Sequence, residues 1–116
     1  MEAAEVLAPN LGGAYHEPMR IIARKTLRDH WEKSGRADSE QPLKAWYAVA
    51  AAADWAGPAD VRAQYRSASF IGDRVVFNIA GNKYRLVAWI NYPYRVLYVR
   101  FVGTHREYDA IDATEV

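Results

Sequence analysis

The chain has 116 residues, of which 51% are hydrophobic and 25% charged, values that fit one globular domain with a modest core. It contains no cysteine, which excludes disulfides, thiolate catalysis and Cys-based zinc sites and is compatible with a reducing cytoplasm. No apolar run approaches the roughly 18 residues of a membrane-spanning helix, and the start lacks the charged-then-apolar order of a signal peptide.

The net charge of +1 conceals a division along the chain. Residues 1–18, "MEAAEVLAPNLGGAYHEP", are rich in Ala, Gly and Pro and carry −3, with no Lys or Arg. They read as a disordered leader, and Met19 offers a second start for a domain spanning 19–116. "RIIARK" then reads as a short strand. Thr26 is an N-cap candidate for a helix over "LRDHWEKSG", with Gly35 as its stop. "RADSEQ" is a polar loop. Pro42 opens an alanine-rich helix, "PLKAWYAVAAAADWAG", ended by Gly57. "PADVRAQY" begins a short helix with Pro in its first turn. "RVVFNIAG", "NKYRLVAWINY" and "RVLYVRFVGT" are β-branched and aromatic runs, punctuated by Gly81-Asn82 and by Tyr92-Pro93-Tyr94. There is room for one further element after His105, and no internal repeat is present.

Alternation within those three runs assigns their faces. Val75, Phe77 and Ile79 form one apolar set. Tyr84, Leu86, Ala88 and Ile90 form a second, and Leu97, Val99 and Phe101 a third. All three should line the core beneath the helices. A turn centred on Gly81-Asn82 pairs Ile79 with Tyr84 and sets Asn78 opposite Arg85. Carrying the alternation into the last strand places Arg85 and Arg100 on a common face, where one register sets them directly opposite each other. Asn78, Lys83, Arg85 and Arg100 are thereby expected to cluster on the side of the sheet away from the core. Val76, Val87, Trp89, Val96 and Tyr98 make the rest of that face apolar, to be covered by a terminal segment or a partner protein.

Like charges facing each other across strands are destabilising by up to about 1 kcal/mol. Two readings account for such a cluster. One is an anion held between the cations; the other is a carboxylate, Glu107 or Asp109, that neutralises them. The wider charge pattern favours a polyanion: from Arg62 to Arg106, eight basic residues, Arg66 and Arg106 among them, face only Asp73, a net of +7. A solvated surface with scattered cations is the plainer alternative.

"GTHREYD" adds chemistry to that face. Cleavage of a phosphodiester by its own 2′-OH needs a group to take the 2′ proton, a group to protonate the leaving 5′ oxygen, and cations for the charge on phosphorus. His105, Tyr108, Lys83, Arg85 and Arg100 can supply all three without a metal. A lone His is more often structural, and His16 and His30 read that way. The chain has no HExxH, HxxxH or paired-carboxylate metal spacing, no Walker loop, GxGxxG or GxSxG, and no cofactor is implied.

From Met19 to Asp112 the chain resembles the HigB toxins of bacterial type II toxin–antitoxin modules, within the RelE-like superfamily. "FNIAGNKYRL" and "VRFVGTHREYD" are the long segments that carry the resemblance. It implies a compact RelE-like α+β domain whose mainly antiparallel sheet packs on N-terminal helices. It also implies an endonuclease that cuts mRNA on translating ribosomes, held by an antitoxin of the helix-turn-helix HigA type. Lys83 and Arg85 match the basic positions of the "YRL" strand; His105, Arg106 and Tyr108 match the basic-aromatic cluster after the last strand. Arg100 is placed by face geometry alone, and the acidic leader departs from the family pattern. The expected site is thus Arg85, His105, Tyr108 and Lys83 for catalysis, with Asn78, Arg66, Arg100 and Arg106 for RNA. Two alternatives keep the same residues: a non-catalytic RNA- or ribosome-binding module, and a degenerate toxin acting only in a repressor complex with its antitoxin.

Overall fold

The β-branched and aromatic runs form a single five-stranded sheet. The computed structural model describes residues 18–116, so the expected leader, His16 included, lies almost wholly outside the described residues. The strands are β1 (Arg20–Ile22), β2 (Ser69–Ile71), β3 (Arg74–Ile79), β4 (Tyr84–Asn91) and β5 (Val96–Thr104). Their order across the sheet is β1-β5-β4-β3-β2, antiparallel throughout except where β1 joins β5 in parallel. The helices are α1 (Arg24–Trp31), α2 (Glu40–Ala52), α3 (Pro58–Gln64) and α4 (His105–Asp109), with a single 3-10 turn over Ala37–Ser39. The architecture is α+β, as the alternation and helix patterns imply. None of the described helices is long and apolar enough to cross a membrane.

The boundaries correct several expectations. α1 starts after Ala23, which makes no side-chain cap, so Thr26 lies inside the helix. α2 stops at Ala52, where Ala53 turns extended (ψ 156°), well before Gly57. Gly57 instead precedes α3, whose first residue is Pro58, where a missing N–H costs nothing. "RADSEQ" is not plain loop; it contains the 3-10 turn. β2 escapes a pattern search because three residues are too few to alternate, and it is held by its pairing with β3.

The core lies between α1, α2 and one face of the sheet. Val75, Phe77, Ile79, Tyr84, Leu86, Ala88, Ile90 and Leu97 meet Leu27, Leu43, Trp46 and Trp55 there. Burial of each large side chain contributes about 1.5–3 kcal/mol. The β3–β4 turn behaves as its sequence requires: Gly81 takes a φ of +68°, and Lys83 N–H donates to the Ala80 carbonyl at 3.3 Å. Ile79 therefore pairs with Tyr84, and Asn78 with Arg85.

β5 departs from simple alternation. Val99 pairs with Ala88 and Phe101 with Val87, so Arg100 is an extra residue in a β-bulge. A bulge sets two residues against one and reverses the face of everything beyond it. Phe101 thus leaves the main core, and Val102 packs against that core instead. On the other face Val76 and Val87 are buried by Ala113, with Phe101, Tyr108 and Val116 packed around them. The C-terminal segment is therefore the cover for that part of the face. Farther along it, Trp89 and Tyr98 stay half-buried and pack on each other at 5.2 Å between ring centroids.

Candidate functional site

Three pieces of chain meet at the end of the sheet that carries the β3–β4 turn: the 3-10 turn, the β3–β4 turn and α4. His105 N–H donates to the Lys83 carbonyl at 3.1 Å, which joins the start of α4 to the turn. α4 begins with a capping box. Thr104 Oγ1 accepts from Glu107 N–H at 3.1 Å, and Glu107 Oε1 accepts from Thr104 N–H at 2.9 Å. The same Glu107 carboxylate receives a two-pronged guanidinium: Arg36 donates from Nη1 at 2.9 Å and from Nη2 at 2.8 Å. The Arg36 hydrogen bonds, then the Thr104 amide, pull the Glu107 carboxyl down to a pKa of about 2.

The 3-10 turn contributes a second carboxylate. Asp38 accepts from Lys83 Nζ and, at 2.5 Å, from the Tyr84 hydroxyl. Its bond to Lys83 comes first in holding the Asp38 carboxyl below its ordinary range, and the same bond raises the Lys83 ammonium. Lys83 is thus a firmly charged cation aimed toward the helix layer, beside the start of α4. Beneath it, His30 is buried, with Nδ1 at 2.9 Å from Ser39 Oγ. Ser39 donates its own proton to the Arg36 carbonyl at 2.7 Å, so His30 Nδ1 is the donor of that pair. Burial, and then the charges of Arg36 and Lys33, lower the His30 pKa.

The other side of the sheet end holds the second set of groups. Register puts Asn78, Arg85 and Gly103 in one row across β3, β4 and β5. Arg85 is only 9% exposed. Its guanidinium donates to Asn82 Oδ1 at 2.7 Å and to the Asn82 and Tyr84 carbonyls at 3.2 and 3.3 Å. Among the described residues no carboxylate pairs with it. Gly103 leaves no room for a side chain: a Cβ there would sit 2.6 Å from Phe101 Cζ and 2.7 Å from Glu107 Oε1. In α4, His105 and Tyr108 are three residues apart and so share a side of the helix. Tyr108 packs into the Val76–Val87–Ala113 cluster. His105 is half in solvent, its Nδ1 3.1 Å from Asp109 Oδ2. Among the described residues no three His, Cys, Asp or Glu side chains converge as a metal site would require.

Residues 39–111 match the family model described as HigB toxin, the RelE-like toxic component of a toxin–antitoxin system. The chain belongs to the HigB toxin family. It is 32% identical over 98 residues to the mRNA interferase toxin HigB of Escherichia coli K12, covering 82% of this chain and 92% of that one. Identity and coverage are the same for the mRNA interferases HigB of Escherichia coli O157:H7 and Shigella flexneri.

Within this HigB-family chain, the expected site divides. The Lys83 backbone meets the start of α4, and Arg85 pairs with Gly103 on the face that Tyr108 helps to cover, while the Lys83 side chain lies on the other side. Arg85 does not face Arg100. Ala88 pairs with Val99, not Leu97, and this register together with the bulge puts Gly103 opposite Arg85 and leaves Arg100 exposed, about 7–10 Å farther along the sheet. The clash between like charges that called for an anion or a neutralising carboxylate therefore does not exist. Neither proposed neutraliser serves Arg85: Glu107 takes Arg36, and Asp109 takes His105. Lys83 also turns away from the Arg85 face, toward Asp38. Asn78 is half-buried beside Arg85, Arg106 is exposed on α4, and Arg66 is exposed in the turn before β2 at the far edge of the sheet. Arg36, Asp38 and the Tyr84 hydroxyl were invisible to pattern reading. Asp38 and Arg36 lie 45 and 71 residues from the groups they bind, with no local signal to link them.

Proposed function

We propose that this protein is a ribosome-dependent mRNA endonuclease that cuts through the 2′-OH, without a metal, and is neutralised by a helix-turn-helix antitoxin of the HigA type. The placement of His105 carries the reading: its backbone is bonded to that of Lys83 at the sheet end and its half-exposed ring lies beside Asp109, so an imidazole stands open to solvent near the basic turn. His105 Nε2 takes the 2′-OH proton as O2′ bonds to phosphorus. The bond from phosphorus to O5′ breaks, and that oxygen is protonated from the Tyr108 hydroxyl on the same side of α4 or from water. The products are a 2′,3′-cyclic phosphate and a 5′-hydroxyl. Arg85 holds the charge that builds on the phosphoryl oxygens, and Lys83 adds to it by swinging from Asp38 to the bound message. Asn78, Arg66, Arg100 and Arg106 extend a basic path for the message. Dependence on the ribosome and the antitoxin type rest on the family resemblance.

Single-turnover cleavage of message on programmed ribosomes tests this. His105→Ala should lose most cleavage while still binding ribosomes. Activity should survive EDTA titrated against the magnesium that ribosomes need. A 3′-hydroxyl product would remove the 2′-OH mechanism. Near-normal cutting by His105→Ala would remove its role as base. Ribosome binding with no cleavage by the unaltered protein would favour a binding module.

A further inference from the structure

A groove of about 520 Å³ runs between α1 and α2, away from the residues assigned to cleavage. Arg24, Lys25, Arg28 and Lys44 surround it, together with the half-buried rings of Trp31 and Tyr47. Two of these cations are already compensated: Lys25 pairs with Asp29 at 2.7 Å and Lys44 with Glu40 at 2.6 Å. Arg24 and Arg28 pair with no carboxylate among the described residues. Arg24 lies over the Tyr47 ring at 4.8 Å from its centroid, and Lys44 over Trp31 at 5.4 Å.

We propose that this groove is a second RNA contact, in which Arg24 and Arg28 hold the phosphodiester backbone. The two arginines are one helical turn apart, with Cβ atoms about 5–6 Å from each other, the scale of neighbouring phosphates on one strand. Tyr47 and Trp31 lie under Arg24 and Lys44, and their rings become open to bases as those cations turn to phosphate, as in proteins that bind single strands. The charge arrangement is also wrong for the helix alone. The first turn of α1 holds no acidic residue and the helix has no side-chain cap, while Arg24 and Lys25 sit at its positive end. An anion seated there relieves both faults. An acidic protein helix would satisfy the charge, but beyond the two rings the groove offers its apolar side chains only Leu27, which is buried.

The test needs no cleavage. Binding of a labelled 2′-O-methyl oligoribonucleotide of about twelve nucleotides is followed by fluorescence anisotropy over a salt series. The proteins are the unaltered chain, Arg24→Ala with Arg28→Ala, Arg28→Lys, and Arg62→Ala as a control for charge lost elsewhere. The double variant should bind at least about tenfold more weakly at about 0.15 M salt. Its plot of log affinity against log salt should flatten by about 1.4, the loss of two single-strand phosphate contacts. Arg28→Lys should keep most of the affinity, and Arg62→Ala should change little. Unchanged affinity and slope in the folded double variant would overturn the proposal. So would loss of binding to a glutamate-rich peptide with RNA binding intact, which would make the groove a protein site. Groove-dependent RNA binding by a protein that fails to cut ribosomal message would remove the cleavage reading and leave this one.

Discussion

Glu107→Gln isolates the contact that ties α4, and with it His105, to the 3-10 turn. Glutamine keeps the size and one carbonyl oxygen, so Thr104 N–H retains an acceptor, but the charge facing Arg36 is gone. The carboxyl stands at about 2 against an ordinary 4.5. At face value that gap is worth roughly 3 kcal/mol. With 44% of the Glu107 side chain exposed, solvent screens much of it, leaving about 1–2 kcal/mol. In a domain of this size the loss lowers Tm by roughly 5–15 °C at neutral pH. A carboxyl with a depressed folded pKa stabilises fully above its unfolded value and loses that contribution as pH falls through the folded one. The difference between unaltered protein and variant should therefore be flat from pH 7 to about 5 and shrink toward pH 2. Asp38 and Asp112 are also depressed, so both proteins weaken in acid, and only their difference reports Glu107. Urea unfolding at a series of pH values measures it. A difference below about 0.5 kcal/mol at pH 7, or one that does not change with pH, would refute the assignment of Glu107 as an anchor.

Gly103→Ala should cost about 1–3 kcal/mol, because the new Cβ meets the Phe101 ring and the Glu107 carboxylate, and thermal unfolding reads the loss directly. Tyr108→Phe should keep the fold and part of the cleavage, whereas Tyr108→Ala should lose about 2 kcal/mol by opening the Val76–Val87–Ala113 cluster; equal stability for the two would mean that the ring does no packing. His30 is buried and neutral with a lowered pKa, so the unfolded chain binds its proton first and His30 removes stability as pH falls below about 6.5. An NMR titration placing the His30 ring at or above its ordinary value would contradict that burial. Arg85→Ala should slow cleavage by at least about 100-fold, and a folded variant that cuts normally would take Arg85 out of the site.

Local pattern alone determined a good deal. Period-two alternation located β3 and β4 and named their core residues, and Gly81 set a register that places Asn78 against Arg85. "GTHREYD" marked the strand end and the residues that α4 presents. What alternation does not carry is an inserted residue: nothing in "RVLYVRFVGT" announces that Arg100 bulges out. That one insertion moved Phe101 across the sheet, and together with a hairpin register two residues from the expected one it put Gly103 where Arg100 was expected. The pairs that orient the site are equally silent. Arg36–Glu107 and Asp38–Lys83 join charges from distant parts of the chain, and a charge on a loop looks the same in sequence whether it ends in water or on a partner. Only the folded sheet end brings the 3-10 turn, the β3–β4 turn and α4 close enough for those attractions to act, because Coulomb energy depends on distance in space, not along the chain.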